Sequence, residues 1–273
     1  MWDAPQSARY HNIMEQLRRF AATDNAGEVS LAVRSRMATR PGQPGLVWLG
    51  GFRSDMTGTK AEAMIALAQD LGAASLRFDY SGHGESGGRL VDGTISTWVQ
   101  QCLALVRTFS EGPQVLVGSS MGAWIALRLV QELQNIGEQD RIGGLVLVAP
   151  APDFISELII PALTAEQKAE IEATDQIVQP SAYSDEPTII TRALLDDGMR
   201  NRVLDGELTI GAPVHIIQGR EDPDVPWQHA QRLCTHLAQD NVTLSMVRDG
   251  DHRLSRDEDI ALISRSVRRF MIP

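Results

Sequence analysis

The stretch from Val115 to Trp124, VLVGSSMGAW, constrains the fold of this chain more than any other part of the sequence. An aliphatic run leads directly into Gly-x-Ser-x-Gly, and a helical pattern begins at Trp124. A strand, a sharp turn and a helix in this order are the setting of a nucleophile elbow. Gly118 and Gly122 are expected because a Cβ at either position would crowd the neighbouring strand and helix. The motif predicts that Ser120 is a nucleophile facing the N-terminus of the following helix.

Length and composition narrow the class of molecule. The chain has 273 residues, of which 43% are hydrophobic, so it can bury one large core. No apolar run approaches the roughly 18 residues that cross a bilayer, which predicts no membrane-spanning segment. The formal net charge of −10 disfavours nucleic acid and anionic membrane surfaces as partners. Because no targeting signal is recognised, a cytoplasmic location is expected, and a mitochondrial location with a transit peptide is the alternative.

The cysteines and the scattered histidines are not expected to form a metal site. Cys102 and Cys234 lie far apart in helix-like runs without metal-ligand spacing, so two reduced thiols are expected. The histidines that share no spacing with cysteines or carboxylates are interpreted as packing or surface residues: His11, His215, His229 and His236. The loop Gly82–Ser86 is glycine-rich but lacks a nucleotide-binding pattern, which favours a structural loop. We therefore predict neither a metal nor another cofactor.

From Glu28 onward, apolar runs of strand length alternate with helical patterns. The predicted strands are Glu28–Arg34, Leu46–Leu49, Ser75–Asp79, Val115–Val117, Leu145–Ala149, Val214–Gln218 and Thr243–Val247. The predicted helices are Lys60–Leu71, Ile95–Phe109, Trp124–Val130, Trp227–Leu237 and Ile260–Met271. Because most of these strands are almost continuously apolar, they predict an α/β fold with a mostly parallel central sheet and helices on both faces.

Two segments depart from this alternation. Residues 1–27 are expected to form an N-terminal extension, in which Ile13, Leu17 and Phe20 have the spacing of one helix face. Residues 151–208 carry prolines between helix-like pieces, which are Glu157–Leu163, Glu166–Glu172 and Ile189–Leu195.

The second segment is also strongly acidic. Between Asp153 and Leu208, twelve acidic and four basic residues give a net charge of −8. An insertion after a strand of an open sheet lies over the ligand crevice, so residues 151–208 are expected to form a small helical cap. Residues 28–150 and 209–273 then form the core.

A serine hydroxyl needs a base that takes its proton, and the base needs a third group that orients it. His252 is the candidate base because it lies in the polar loop after the last predicted strand. Asp222 is the candidate acid in the loop after the preceding strand, where it fits the Gly-x-x-Asp-x-x-Val-Pro spacing usual in such folds; Asp224 is the alternative. The order serine, acid, histidine at the ends of strands predicts a catalytic triad with Ser120.

Acyl transfer also needs donors for the oxyanion. One predicted donor is the backbone N–H of Met121, the residue after the nucleophile. The second is expected from the loop after the strand Leu46–Leu49, and Phe52 is assigned to it.

Several longer motifs resemble those of a known family. They are GFRSDMTGTK from Gly51, LRFDYSG from Leu76, VLVGSSMG from Val115, Asp222–Trp227 and Asp251–Arg253. Over about residues 28–273 the chain resembles the α/β-hydrolase superfamily. More narrowly, it resembles the mitochondrial palmitoyl-protein thioesterases that also act as mycophenolic acid acyl-glucuronide esterases. The resemblance implies Ser120 as nucleophile, Asp222 as acid, His252 as base, and S-acyl or acyl esters as substrates.

The sequence therefore predicts a serine hydrolase that acts on a small acyl ester or thioester, or on an S-acylated protein. Palmitoyl-protein thioesterase chemistry is favoured by the resemblance. A carboxylesterase acting on small oxygen esters or acyl glucuronides is the alternative, because the same base and donors serve both leaving groups. A non-catalytic ligand receptor on this fold is a third hypothesis, which an intact triad disfavours.

Overall fold

The computed structural model describes residues 15–40, 42–180 and 187–272. The strands in this part of the chain are β1 (Gln16–Asp24), β2 (Gly27–Arg36), β3 (Gly45–Leu49), β4 (Ser75–Phe78), β5 (Gln114–Ser119), β6 (Ile142–Val148), β7 (Gln176–Gln179), β8 (Thr188–Thr191), β9 (Val214–Gly219) and β10 (Val242–Val247). Eight of them form one sheet in the order β1-β2-β4-β3-β5-β6-β9-β10, and β7 pairs with β8. From β4 to β10 every neighbouring pair is parallel, so the predicted mostly parallel sheet is confirmed.

Helices cover both faces of the sheet. They are α1 (Thr59–Leu71), α2 (Ile95–Phe109), α3 (Met121–Asn135), α4 (Ala165–Thr174), α5 (Arg192–Arg200), α6 (Trp227–His236) and α7 (Asp257–Met271). Shorter turns lie at Leu90–Asp92, Gln139–Arg141, Ile155–Ile159 and Ile160–Ala162. In β5, Val115 and Val117 pack with α1 and α7, whereas Leu116 packs with α2 and α3. Because both faces are covered, successive residues of this strand are apolar. No helix within the described ranges is long and apolar enough to span a membrane.

The N-terminal segment differs from its prediction. From Gln16 it forms a strand hydrogen-bonded to β2, so the predicted helix is wrong for the described part, and Ile13 lies outside it. The assignment of residues 1–27 to an N-terminal extension remains a prediction. The side chain of Asp24 accepts hydrogen bonds from the N–H groups of Ala26 and Gly27 at 2.8 and 3.0 Å, which closes a tight hairpin. The Phe20 ring packs 5.9 Å from that of Phe109. Pairing with β2 and this contact outweigh the weak helical spacing.

The predicted cap segment lies between β6 and β9 and is only partly helical. A helical stretch follows β6, and α4 agrees with the predicted second piece. Residues Ile189–Thr191 are strand rather than helix, because they pair with Gln176–Val178 across an antiparallel ladder. The β-branched residues of β8 favour that pairing over a helix. The division into core and cap remains a prediction.

The two glycines of the elbow are required by close packing. A Cβ on Gly118 would lie 2.5 Å from the carbonyl oxygen of Gly122, and one on Gly122 would lie 2.1 Å from that of Leu49. The backbone of α3 therefore approaches the ends of β3 and β5 more closely than a residue with a Cβ at position 118 or 122 would allow.

We expect Gly122→Ala to destabilise the fold by about 3 kcal/mol or more, because the new methyl group meets backbone that cannot rotate away. Gly206→Ala is the matched control, since a Cβ there meets nothing within 4 Å. Its effect should stay within about 0.5 kcal/mol. Urea denaturation of both variants measures the difference. Equal denaturation midpoints would contradict the packing argument.

Candidate active site

Ser120 occupies the turn between β5 and α3. Its backbone has φ 54° and ψ −118°, a conformation that residues with a Cβ rarely adopt. Its N–H donates to the carbonyl oxygen of Val148 at 2.9 Å, and its own carbonyl accepts from the N–H of Ala123 at 3.0 Å. These bonds hold the turn against the end of β6. The hydroxyl is thereby placed at the carboxyl edge of the sheet.

The three residues of the predicted triad lie together. Nε2 of His252 is 3.0 Å from Oγ of Ser120, and Nδ1 is 2.8 Å from Oδ2 of Asp222. The side chain of Asp222 is fully buried, whereas that of His252 keeps 16% exposure. They meet because β5, β9 and β10 are parallel and their following loops share one edge of the sheet.

Asp222 is held in its ionised form by several donors. Burial alone raises its pKa, but the hydrogen bond from His252 and those from the N–H groups of Val225 and Asp224 lower the pKa below its ordinary value. The side-chain amide of Gln218 adds a donor at 3.0 Å. Between the two acids that the sequence left open, Asp222 is the one whose carboxylate contacts the histidine. Asp224 contributes a backbone N–H at 2.9 Å.

The loop after β3 lies directly beside Ser120, the candidate nucleophile. A Cβ on Gly51 would be 3.4 Å from Cβ of Ser120. The backbone N–H groups of Phe52 and Met121 have no acceptor within the described part of the chain. Met121 is the first residue of α3, so its N–H points out of the helix. Two unpaired N–H groups beside Ser120 are what stabilisation of an oxyanion requires.

Asp79 fixes the loop that carries Phe52, a role that the sequence analysis did not assign. Its buried carboxylate accepts from the N–H of Met56 at 2.7 Å and from that of Glu85 at 2.8 Å. Arg77 donates to the carbonyl oxygen of Met56 at 2.9 Å. Burial raises the pKa of Asp79, and its two backbone hydrogen bonds oppose this rise. Arg77 and Asp79 both belong to the LRFDYSG motif that the sequence singled out. The sequence showed that this motif is distinctive, but it did not show which groups the two side chains contact.

The Gly82–Ser86 loop is anchored by packing. The His83 ring is buried, and its centroid lies 5.2 Å from that of Trp98 and 6.2 Å from that of Phe52. Burial lowers the pKa of His83 to about 4, so the ring is neutral near pH 7. These contacts favour the predicted structural role of this loop.

The remaining predicted histidines do not gather at the site. His215 contacts Ser245 at 2.8 Å, whereas His229 and His236 contact backbone carbonyl oxygens. His11 lies outside the described residues. Among the described residues, ligand atoms of Asp222, Asp224 and His252 lie within 4.8 Å of one another. This group shares two residues with the triad, and the absence of a metal remains a prediction.

Comparison with known proteins agrees with this architecture. The model of the Alpha/beta hydrolase family matches residues 41–262. Mouse "Palmitoyl-protein thioesterase ABHD10, mitochondrial" is 32% identical over 221 residues, which are 81% of this chain and 72% of that protein. The crystal structure of a putative hydrolase from Agrobacterium vitis S4 is 48% identical, covers 94% of this chain and 99% of its own, and has a TM-score of 0.91. Mouse alpha/beta hydrolase domain-containing protein 10 has a TM-score of 0.80 at 28% identity, over 93% and 97% of the two chains. The chain therefore belongs to the alpha/beta hydrolase family and is a hydrolase by fold and relationship.

Proposed function

We propose that this hydrolase cleaves acyl thioesters through a Ser120–His252–Asp222 triad. The observation that carries the proposal is the pair of contacts that His252 makes, 3.0 Å to the Ser120 hydroxyl and 2.8 Å to the Asp222 carboxylate. The ABHD10 relatives are named palmitoyl-protein thioesterases, which supports the choice of thioesters. These relatives are described as mitochondrial, which favours a mitochondrial location over the cytoplasmic location expected from the sequence.

In the first half-reaction His252 acts as the base. Nε2 takes the proton from Oγ of Ser120 while Oγ attacks the acyl carbonyl carbon. Asp222 accepts from Nδ1, holds the ring in the required tautomer and stabilises the imidazolium. The carbonyl oxygen becomes an oxyanion that accepts from the N–H groups of Phe52 and Met121.

Collapse of the tetrahedral intermediate breaks the bond from carbon to sulfur. His252 returns the proton to the leaving thiol, and the acyl group remains on Ser120. Water then attacks the acyl-enzyme with His252 again as base, which releases the carboxylic acid and regenerates the hydroxyl. No external reactant besides water is needed.

An apolar surface beside the nucleophile supports an acyl substrate. The Phe154 ring lies 5.4 Å from the ring of Trp124 in α3 and 6.5 Å from the ring of Phe52. Phe52 and Phe154 are only partly buried, so they present apolar surface near Ser120. Contact with such surface stabilises an acyl chain by roughly 0.8 kcal/mol for each buried methylene group.

Hydrolysis of matched thioesters and oxygen esters with short, medium and long acyl chains tests the proposal. We expect the purified protein to turn over thioesters with kcat/KM at least about tenfold higher than for the matched oxygen esters. A preference for short oxygen esters would be consistent with the triad but would contradict the choice of thioesters. The protein would then be a carboxylesterase. Labelling of Ser120 by a fluorophosphonate without turnover of any ester would favour the ligand-receptor hypothesis.

A further inference from the structure

Lys60 connects the start of α1 to the loop that carries the candidate base. Its Nζ donates to the carbonyl oxygen of Arg253, the residue directly after His252, and lies 3.4 Å from Oγ of Ser255. Lys60 and Arg253 are 193 residues apart in sequence. The contact therefore belongs to the tertiary structure and bears directly on the position of His252.

The choice of lysine at this position is unusual for the chain. Of its 25 basic residues only Lys60 and Lys168 are lysines, and the others are arginines. Lys60 also lies in the first turn of α1, where a cation opposes the helix dipole. This position of the ammonium group disfavours the helix. A hydrogen bond to an acceptor outside the helix offsets the unfavourable interaction, and that acceptor is the carbonyl oxygen of Arg253.

The rest of the histidine loop is tightly packed around the same point. Leu254 is fully buried with φ 44°, and its N–H donates to the carboxylate of Asp251 at 2.9 Å. A Cβ on Gly219 would lie 2.4 Å from the carbonyl oxygen of Gly250. The loop is thus held on β9 at one side and by Lys60 at the other.

The segment that ends at Lys60 also carries the predicted oxyanion donor. Phe52 precedes Met56, whose N–H is fixed by Asp79, and Lys60 follows in the next helix. One short piece of backbone therefore links the oxyanion loop to the histidine loop. Lys60 therefore lies between the two halves of the predicted catalytic machinery.

We propose that Lys60 is a positioning residue, whose ammonium group holds the Arg253 carbonyl and thereby keeps the His252 ring in line with Ser120. The inference rests on the proposed function, because it concerns the same triad. Lys60 acts through the loop and does not touch substrate.

This role gives the reaction a dependence on the charge of Lys60. Burial lowers the pKa of Lys60 to about 8; Asp251 from the loop and Asp259 from α7 raise it, and Arg253 lowers it. Below that pH the ammonium group donates a charge-assisted hydrogen bond to the carbonyl oxygen. Above it the neutral amine donates a weaker bond, and the loop is held less firmly. The rate of acyl transfer is therefore expected to decrease as pH rises through about 8.

The test compares Lys60→Met, Lys60→Arg and the matched control Lys168→Met. Thioester hydrolysis is followed from about pH 6 to about pH 10, and the rate with Ser120→Ala is subtracted at each pH. We expect Lys60→Met to lower kcat at pH 7 by about 10- to 100-fold with little change in KM, since small misplacement of a catalytic group has effects of this size. Lys60→Arg should retain most of the activity and show no decrease near pH 8, because arginine keeps its charge. Lys168→Met should match the wild type.

Two results would overturn the inference. One is a wild-type kcat in Lys60→Met at pH 7, and the other is an alkaline decrease that persists in Lys60→Arg. Because the chain has only two lysines, side-chain NMR of the labelled protein in a Lys168→Arg background follows Lys60 directly, even if Lys60→Met folds poorly. The NMR titration midpoint of Lys60 should coincide with the kinetic one, and a separation of the two midpoints would also count against the role.

Failure of the proposed function gives a different pattern. If the wild type reacts with a fluorophosphonate but cleaves no ester or thioester, the substrate class is wrong. The labelling rate of Lys60→Met relative to wild type then measures positioning in place of kcat. If the wild type neither reacts with a fluorophosphonate nor cleaves an ester or thioester, both the proposed triad and the proposed role of Lys60 are wrong.

Discussion

Ser120→Ala should lower kcat for acyl hydrolysis by roughly 10⁵- to 10⁶-fold, the size of effect seen when a triad serine is removed. Alanine keeps the Cβ and removes only the hydroxyl that Nε2 of His252 approaches at 3.0 Å. The fold should therefore be unchanged, and binding of an acyl product should be retained. Steady-state hydrolysis and fluorophosphonate labelling measure the loss, with circular dichroism as the check on folding.

Ser120→Gly is the matched variant that separates catalysis from strain. It should be as inactive as Ser120→Ala but more stable than wild type by about 1 kcal/mol, because glycine adopts φ 54° and ψ −118° without strain. Thermal denaturation of the three proteins gives the comparison. Activity above about one hundredth of wild type in either variant would rule out Ser120 as the nucleophile.

Asp222→Asn should lower kcat by roughly 10⁴-fold, because an amide can donate to Nδ1 of His252 and so stabilise the wrong tautomer. The Asp222 carboxylate accepts from Nδ1 at 2.8 Å within a fully buried setting. KM should change little, since the carboxylate does not touch the substrate. Kinetics with a saturating thioester separate the two parameters.

Asp224→Asn is the control that distinguishes the two acids. Asparagine at this position keeps the backbone N–H that donates to Asp222, so kcat should stay within about threefold of wild type. A loss of kcat in Asp224→Asn as large as that in Asp222→Asn would contradict the assignment of the acid.

The strand pattern explains why the candidate site could be predicted from the sequence. Ser120, Asp222 and His252 each follow an apolar run of strand length, and the ends of parallel strands meet at one edge of a sheet. Local signals were weaker where pairing with an antiparallel partner strand decides the conformation. β1 and β8 lack a decisive periodicity of their own, so their helical interpretations were wrong once a partner strand was present.

By itself, the sequence determined the alternation of strands and helices, the elbow and the candidate residues that lie at the carboxyl edge of the sheet. These features depend on short-range spacing, on apolar periodicity and on glycines that admit close backbone contact. Only the tertiary structure decided which acid contacts His252, how Asp79 holds the loop of Phe52, and that Lys60 contacts Arg253. Each of those contacts joins segments far apart in the chain, and the directions of their side chains are set by packing rather than by neighbours in sequence.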